Sequence, residues 1–336
     1  MMKPKNIFRI KNKIYGFKKT LIIAEAGSNH NQDFKLAKKL IDIASKANCD
    51  AVKFQLFEAD NIIQKKYKGW RILKKLELNK RWLKKLKSYA NKKKLLFGVS
   101  PFDLNSLVEL NKINVDFIKI ASPEIQDIKL IEEAAKSKKP VIISTGAANL
   151  IDIANAYNSV NKISKNFAFL HCVSIYPSKI EKLNLNMIKT MRKFLGVPIG
   201  FSDHSSSIVI PSIAVSKGAS IIEKHITFDK NAKGPDHHFA LEEKELEAMV
   251  KYIRETEVSF GTDLKQPVTK NENNNLGRRI VVKRNLKKGQ KIRDKDLIIL
   301  RGDLTGILPV DREKIIGLKL NRKKNRNEIL KWQDFK

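Results

Sequence analysis

No run of about 18 consecutive apolar residues occurs in the 336-residue sequence, so no helical membrane span is expected. Cysteine is scarce. Only Cys49 and Cys172 occur, in different elements, which argues against a disulfide framework and for two reduced core thiols. No G-x-G-x-x-G turn follows the first apolar run, so a doubly wound open sheet lacks its dinucleotide fingerprint. Acidic residues are few, 35 against 67 Lys and Arg, for a formal charge of +32. That excess raises nucleic acid as a partner, yet there is no finger motif, no interleaving of aromatics with the basic residues and no single basic stripe. Lysines such as Lys35, Lys38, Lys39, Lys84, Lys85 and Lys87 are instead spread over nearly every helical stretch. The expectation is no nucleic-acid partner, and a solvated surface that favours a small anionic substrate. The basic first twenty residues hold no continuous apolar segment and no small-residue cleavage site. No secretory signal is read there, and a cytoplasmic location is expected.

What is present is a repeat of short apolar runs: Leu21–Glu25, Ala51–Gln55, Leu95–Ser100, Phe117–Ile120, Val141–Thr145, Phe167–Cys172, Ile199–Ser202 and Ile221–His225. Most are near-continuous Val, Ile, Leu and Phe, which suits parallel strands covered on both faces. Between them lie segments with apolar residues at helical spacing, such as Phe34–Ser45, Leu130–Ala135 and Glu243–Thr256. Eight strand and helix repeats predict an α/β fold, a (β/α)8 barrel over residues 1–265. Ile7–Ile10 and Lys13–Tyr15 read as a hairpin closing its floor. Residues 266–279, polar and Asn-rich, read as a linker. Residues 280–336 read as a small mainly-β module, with β-like runs at Ile280–Lys283, Ile298–Arg301 and Ile315–Leu320 around a Lys287-Lys288-Gly289 turn.

Polar residues recur where the apolar runs end. The first ends in Glu25, then Gly27-Ser28-Asn29-His30; the second carries Lys53 and Gln55; the third ends at Ser100. The fourth holds Lys119 and reaches Ser122, the fifth ends at Ser144, and the sixth runs from His171 to Tyr176. The last two end at Ser202-Asp203-His204 and at His225, followed by Gly234-Pro235-Asp236-His237. Buried strands should not repeatedly stop in Lys, Glu and His unless those heads converge on a ligand pocket. Lys53 and Lys119, inside otherwise apolar runs, point to anion binding. Each serine taken alone is equally a helix cap, though hydroxyls and helix N-termini together suit a phosphate. His204 and His225 at successive strand ends beside Glu25 point to a metal site, where Mn²⁺, Mg²⁺, Fe²⁺ and Zn²⁺ all fit the ligand types.

In this order, IIAEAGSNHNQDF, DAVKFQ, IKIAS, LHCVSIYP, GFSDH, IEKHITFD and GPDHHF resemble the nonulosonic (sialic) acid synthases, which condense phosphoenolpyruvate with an N-acetylated hexose. The tail, LKKGQKIRDKDLIILR and IIGLKLNRKKNRNEILKWQDF, resembles the antifreeze-like (SAF, β-clip) domain fused to those enzymes. The resemblance implies that Lys53, Ser100, Lys119, Ser122, Ser144 and Ser202 hold phosphoenolpyruvate. It implies that His204 and His225 bind the metal, Mn²⁺ first and Mg²⁺ next, with Glu25 a catalytic carboxylate near the metal. Gln55, Tyr176 and Asp236 would contact the sugar. Arg301 would reach over the partner's barrel in a domain-swapped homodimer. The family commonly reads Arg-Pro-Gly-x-Gly-Ile there, whereas this chain has Arg301-Gly302-Asp303-Leu304-Thr305-Gly306-Ile307. Ser174 stands where some sialic acid synthases have asparagine, which leaves N-acetylmannosamine and the legionaminic and pseudaminic acid precursors open as acceptors.

The implied chemistry joins C3 of phosphoenolpyruvate to the metal-polarised sugar aldehyde, with water adding at C2 and phosphate leaving by C–O cleavage. Two rivals use the same residues differently. A Schiff-base aldolase or lyase would take Lys119 or Lys224 as nucleophile. A non-catalytic carbohydrate or partner-binding protein would work through its tail.

Overall fold

The computed structural model describes residues 7–16, 18–262, 264–265, 277–302 and 305–335. The chain divides into two compact units, Met1–Phe260 and Gly261–Lys336.

In the first unit, eight parallel strands close into a barrel: β3 (Leu21–Gly27), β4 (Ala51–Leu56), β5 (Leu96–Pro101), β6 (Phe117–Ile120), β7 (Val141–Ser144), β8 (Phe167–Cys172), β9 (Ile199–Asp203) and β10 (Ile221–His225). Each strand pairs with its sequence neighbour, and β10 closes on β3. Every residue of β3 is buried because the helices cover its outer face and the barrel interior its inner one. The first of those helices, Phe34–Lys46, starts at Asp33, whose carboxylate accepts from the N–H groups of Lys35 and Leu36. Its Ala37, Leu40, Ile41 and Ala44 fall at helical spacing and pack into the core, while its lysines face water.

A hairpin, β1 (Ile7–Ile10) with β2 (Lys13–Gly16), precedes the barrel. Phe8, Ile10 and Tyr15 on its inner face form one cluster with Leu21, Ala51, Leu96, Phe117, Ile142, Ala168 and Ile221. The latter residues stand at or near the first position of seven barrel strands, so the hairpin seals the N-terminal floor.

In the second unit, β11 (Arg278–Val282) pairs antiparallel with β12 (Leu297–Arg301) over a core that includes Ile280, Val282, Leu286, Ile292, Leu297, Leu320 and Leu330. Two details differ from the sequence reading. Ile315–Leu320 is not a strand: Ile315 ends a short helix from Arg312, and Leu320 makes an isolated bridge to Phe335. Of the expected linker 266–279, residues 266–276 lie outside the described residues, while Arg278 and Arg279 are already in β11. Among the described residues no helix is long and apolar enough to cross a membrane.

Gly98 sits in register with Phe117 across β5 and β6, and the Phe117 ring lies against its backbone. A Cβ at residue 98 would stand 2.1 Å from that ring, a distance no packing tolerates. Gly98→Ala is expected to cost about 1–3 kcal/mol of stability in urea unfolding, with part recovered by Phe117→Leu. An unchanged urea midpoint in Gly98→Ala would contradict this packing.

Candidate active site at the C-terminal face of the barrel

Side chains alternate across a strand, so residues two apart share a face. The inward positions above the sealed floor therefore follow from the floor itself. Ile23 leads to Glu25, Ala51 to Lys53, Phe117 to Lys119, Ile142 to Ser144, Leu170 to Cys172, and Ile221 to Glu223 and then His225. In these six strands the interior changes from apolar to polar within one step. The polar layer opens into a cavity of about 240 Å³ lined by Glu25, Lys53, Gln55, Ser100, Lys119, Ser122, Ser144, Tyr176, Ser202, His204, His225 and Asp236, and also by Phe102 and Glu223. Twelve of the residues singled out in the sequence thus share one wall. Arg301 belongs to the second unit, where it ends β12 exposed and in register with Arg278.

The floor of the cavity is a chain of buried charges. Lys53 Nζ stands 2.6 Å from Glu25 Oε2 and 3.7 Å from Glu223 Oε2, and Lys119 Nζ is 3.4 Å from Glu223 Oε1. Lys53 also donates to Ser100 Oγ at 2.9 Å, Gln55 Nε2 donates to Glu25 Oε1 at 2.9 Å, and Ser202 Oγ donates to Glu223 Oε1 at 2.8 Å. Burial works against the Lys53 charge, but Glu223 and Glu25 outweigh it and its pKa is raised. At Lys119 burial wins over Glu223 and the pKa is lowered. Burial disfavours an ionised Glu223, yet Lys119, Lys53 and the Ser202 hydroxyl pull it down to about 2. Two lysines are thus already matched by two carboxylates, so an entering anion must share them or bring a cation with it.

Beside this chain, Ser122 Oγ accepts the Gly146 N–H at 3.1 Å, and Ser144 Oγ is buried with no hydrogen-bond partner. An unsatisfied buried hydroxyl on a cavity wall is a donor waiting for a ligand. Cys172 Sγ lies 3.4 Å from Ser122 Oγ, and burial pushes its thiol up.

The histidine pair occupies the mouth side. The rings of His204 and His225 are 5.7 Å apart between centroids, and Tyr176 lies over His204 at 4.1 Å. His204 Nδ1 donates to the Val173 carbonyl at 2.8 Å, which fixes the tautomer and leaves Nε2 with a lone pair. Ser202 Oγ is 3.4 Å from that nitrogen but directs its one proton to Glu223. His225 Nδ1 is buried without a hydrogen-bond partner, with Asp236 Oδ2 at 3.8 Å. Among the described residues no three His, Cys, Asp or Glu side chains converge as a metal cluster. The pair nonetheless fits a metal: a tautomer-fixed imidazole and a buried, partnerless ring nitrogen face one polar cavity. Gly27, at φ +51°, turns the chain just past Glu25, where a Cβ would touch His225 and Asp236 at 3.4 and 3.5 Å.

Three residues from the same motifs lie elsewhere. His171 bonds the Leu183 carbonyl at 2.7 Å and stacks on Phe201, His237 bridges Thr227 and Asn31, and His30 packs against Phe54. Lys224, a candidate Schiff-base nucleophile by sequence, is on the outward face and pairs with Asp203 at 2.6 Å. That role is corrected: period two sends Glu223 and His225 inward and Lys224 outward. Glu223, which sequence reasoning passed over, was available from the same alternation.

A closed parallel barrel with a charged pocket at the strands' C-terminal ends defines a (β/α)8 protein built for a polar ligand. Comparison carries the assignment further. The NeuB family model matches residues 40–265 and the SAF domain model residues 277–336. The N,N'-diacetyllegionaminic acid synthase of Campylobacter jejuni is 36% identical over 94% of this chain and 99% of its own. The pseudaminic acid synthase of Helicobacter pylori is 31% identical over 94% of this chain and 97% of its own. Among solved structures, the N-acetylneuraminic acid (sialic acid) synthetase of Leptospira borgpetersenii superposes with a TM-score of 0.76 at 36% identity, covering 80% of this chain and 94% of that one. The chain belongs to the NeuB family of nonulosonic acid synthases.

Burial holds His204 near pH 3, helped by the neighbouring His225, and His30 near 4, against an ordinary value of 6.5. Below about 6.5 the unfolded chain takes up these protons and the folded chain does not, so stability falls as pH falls. Each group contributes a slope of about 1.4 kcal/mol per pH unit inside its window. The urea midpoint is expected to drop between pH 6.5 and 5, and His30→Gln to flatten that drop.

Proposed function

We propose that the barrel joins phosphoenolpyruvate to an N-acetylated hexose and water, giving a nine-carbon nonulosonic acid and phosphate. The observation that carries this is the wall itself: one cavity holds two buried lysines, a serine hydroxyl without a hydrogen-bond partner and a pair of histidine rings. Lys53, Lys119 and Ser100, Ser122, Ser144 and Ser202 would bind the phosphate and carboxylate of phosphoenolpyruvate. Gln55, Tyr176 and Asp236 would hold the sugar. A divalent metal, Mn²⁺ first, would sit on His204 and His225 and supply Lewis acidity toward the sugar carbonyl.

C3 of phosphoenolpyruvate forms a bond to the sugar's aldehyde carbon, water adds at C2, and the C2–O bond to phosphate breaks. Glu25 stabilises the cationic C2 centre or orients the water. Glu223, held ionised by its lysines, is available to accept a proton and not to donate one. The acceptor is N-acetylmannosamine, or a diacetamido-trideoxy hexose leading to legionaminic or pseudaminic acid. By the same reading residues 1–265 form the synthase domain and the SAF domain includes β11 from Arg278 onward. Arg301 would complete the site of the partner in a homodimer.

One observation favours a second reading. Burial lowers the pKa of Lys119, as a Schiff-base lysine requires. Borohydride with pyruvate would then leave a covalent adduct on Lys119 by intact mass, whereas the synthase reading expects none.

Phosphate release from phosphoenolpyruvate should need one hexose of a small panel and should be lost with chelator. No release with any of them would overturn the reading. Glu25→Gln is expected to lower turnover at least 100-fold, comparable to loss of a catalytic group, and a loss of only a few-fold would remove Glu25 from its role. Arg301→Ala should raise KM or lower kcat while sedimentation still reports a dimer.

A further inference from the structure

The ladder between β9 and β10 ends at the pair Lys224 and Asp203, one residue before each histidine. Beyond that pair no backbone bond between these strands sets the distance from His204 to His225. Lys224 and Asp203 are 1% and 0% exposed, on the outward face of the strands, and neither lines the cavity. Lys224 Nζ donates to Asp203 Oδ2 at 2.6 Å and also to the Ser205 carbonyl, while Asp203 Oδ1 accepts the Ser205 N–H at 2.8 Å. His204 is therefore bracketed: the residues on both sides of it are tied to the residue that precedes His225.

We propose that Lys224 and Asp203 are a positioning pair that sets the separation and aim of His204 and His225. A buried ion pair of this kind adds little net stability over apolar side chains of the same size, because both charges were taken out of water. Its short, directional contacts do fix geometry, and they do so where the β9–β10 ladder has ended, His225 being held on its other side by β3. Neighbouring groups that orient ligands are worth 10- to 100-fold in metal affinity. The inference rests on the two-histidine reading above only for its metal consequence.

The test uses the full chain carrying Asp203→Asn and Lys224→Met together, which removes both charges and keeps an acceptor for the Ser205 N–H. In metal-free protein with ¹⁵N-labelled histidine, the ring resonances of His204 and His225 should shift while those of His30, His171 and His237 stay. Thermal unfolding should stay within a few degrees of the parent, and Mn²⁺ binding should weaken at least tenfold. Unmoved His204 and His225 rings in the folded double variant would overturn the proposal. If the rings move but His204→Ala leaves Mn²⁺ binding intact, the positioning pair stands and the metal reading fails. Should the double variant not fold, Lys224→Arg, which keeps the charge but changes the donor geometry, should move the same two rings, and failure to move them would overturn the proposal equally.

Discussion

Four charges buried on one barrel wall, Glu25, Lys53, Glu223 and Lys119, are the constraint under which the rest of the first unit is built. None can be left alone: an unpaired charge at this depth costs several kcal/mol, far more than the net value of any single contact in the fold. Glu25 and Lys53 meet across the paired strands β3 and β4, whereas Glu223 on β10 reaches Lys53 on β4 and Lys119 on β6 only in the closed barrel. For Glu223, closure and charge compensation are therefore one event. A sheet left open at the β10 and β3 edge would separate Glu223 and His225 from Glu25 and Lys53.

Much of this was legible in the sequence, for a reason that lies in the backbone. Near-continuous apolar runs declared the strands, and their lengths agree with the observed ones to within a residue or two. The polar residues at the ends of those runs then marked Lys53, Lys119, Ser144 and His225 as heads converging on one pocket. What could not be read was which charge meets which. Glu25 and Gln55 are thirty residues apart and meet through the pairing of β3 with β4, while Lys53 and Glu223 are far more distant and meet only through the closed order of strands. Glu223 is not marked by the polar ends of the runs, because it lies two residues before His225, on the same face. Lys224 is the mirror case: it adjoins His225 in sequence, but the alternation turns it outward onto Asp203. In the second unit, Ile315–Leu320 looked like a strand because apolar residues there serve a small core through a helix end and a bridge.

The surface tells a separate story. Lysines ride on most helices, yet inside the cavity positive charge is rationed and matched one for one by glutamate. The large positive field of the whole chain draws small anions in from solution, while discrimination among them falls to the few matched groups at the floor.

The hairpin of Phe8, Ile10 and Tyr15 has a further effect that concerns traffic. With its lower end stoppered by these side chains, the barrel is, among the described residues, a well closed at its floor. A molecule seated against Lys53 and Ser144, which are almost wholly enclosed, has to pass the half-exposed Tyr176 on its way in and again on its way out. For any ligand in such a well, depth is set by how many of these enclosed groups it reaches.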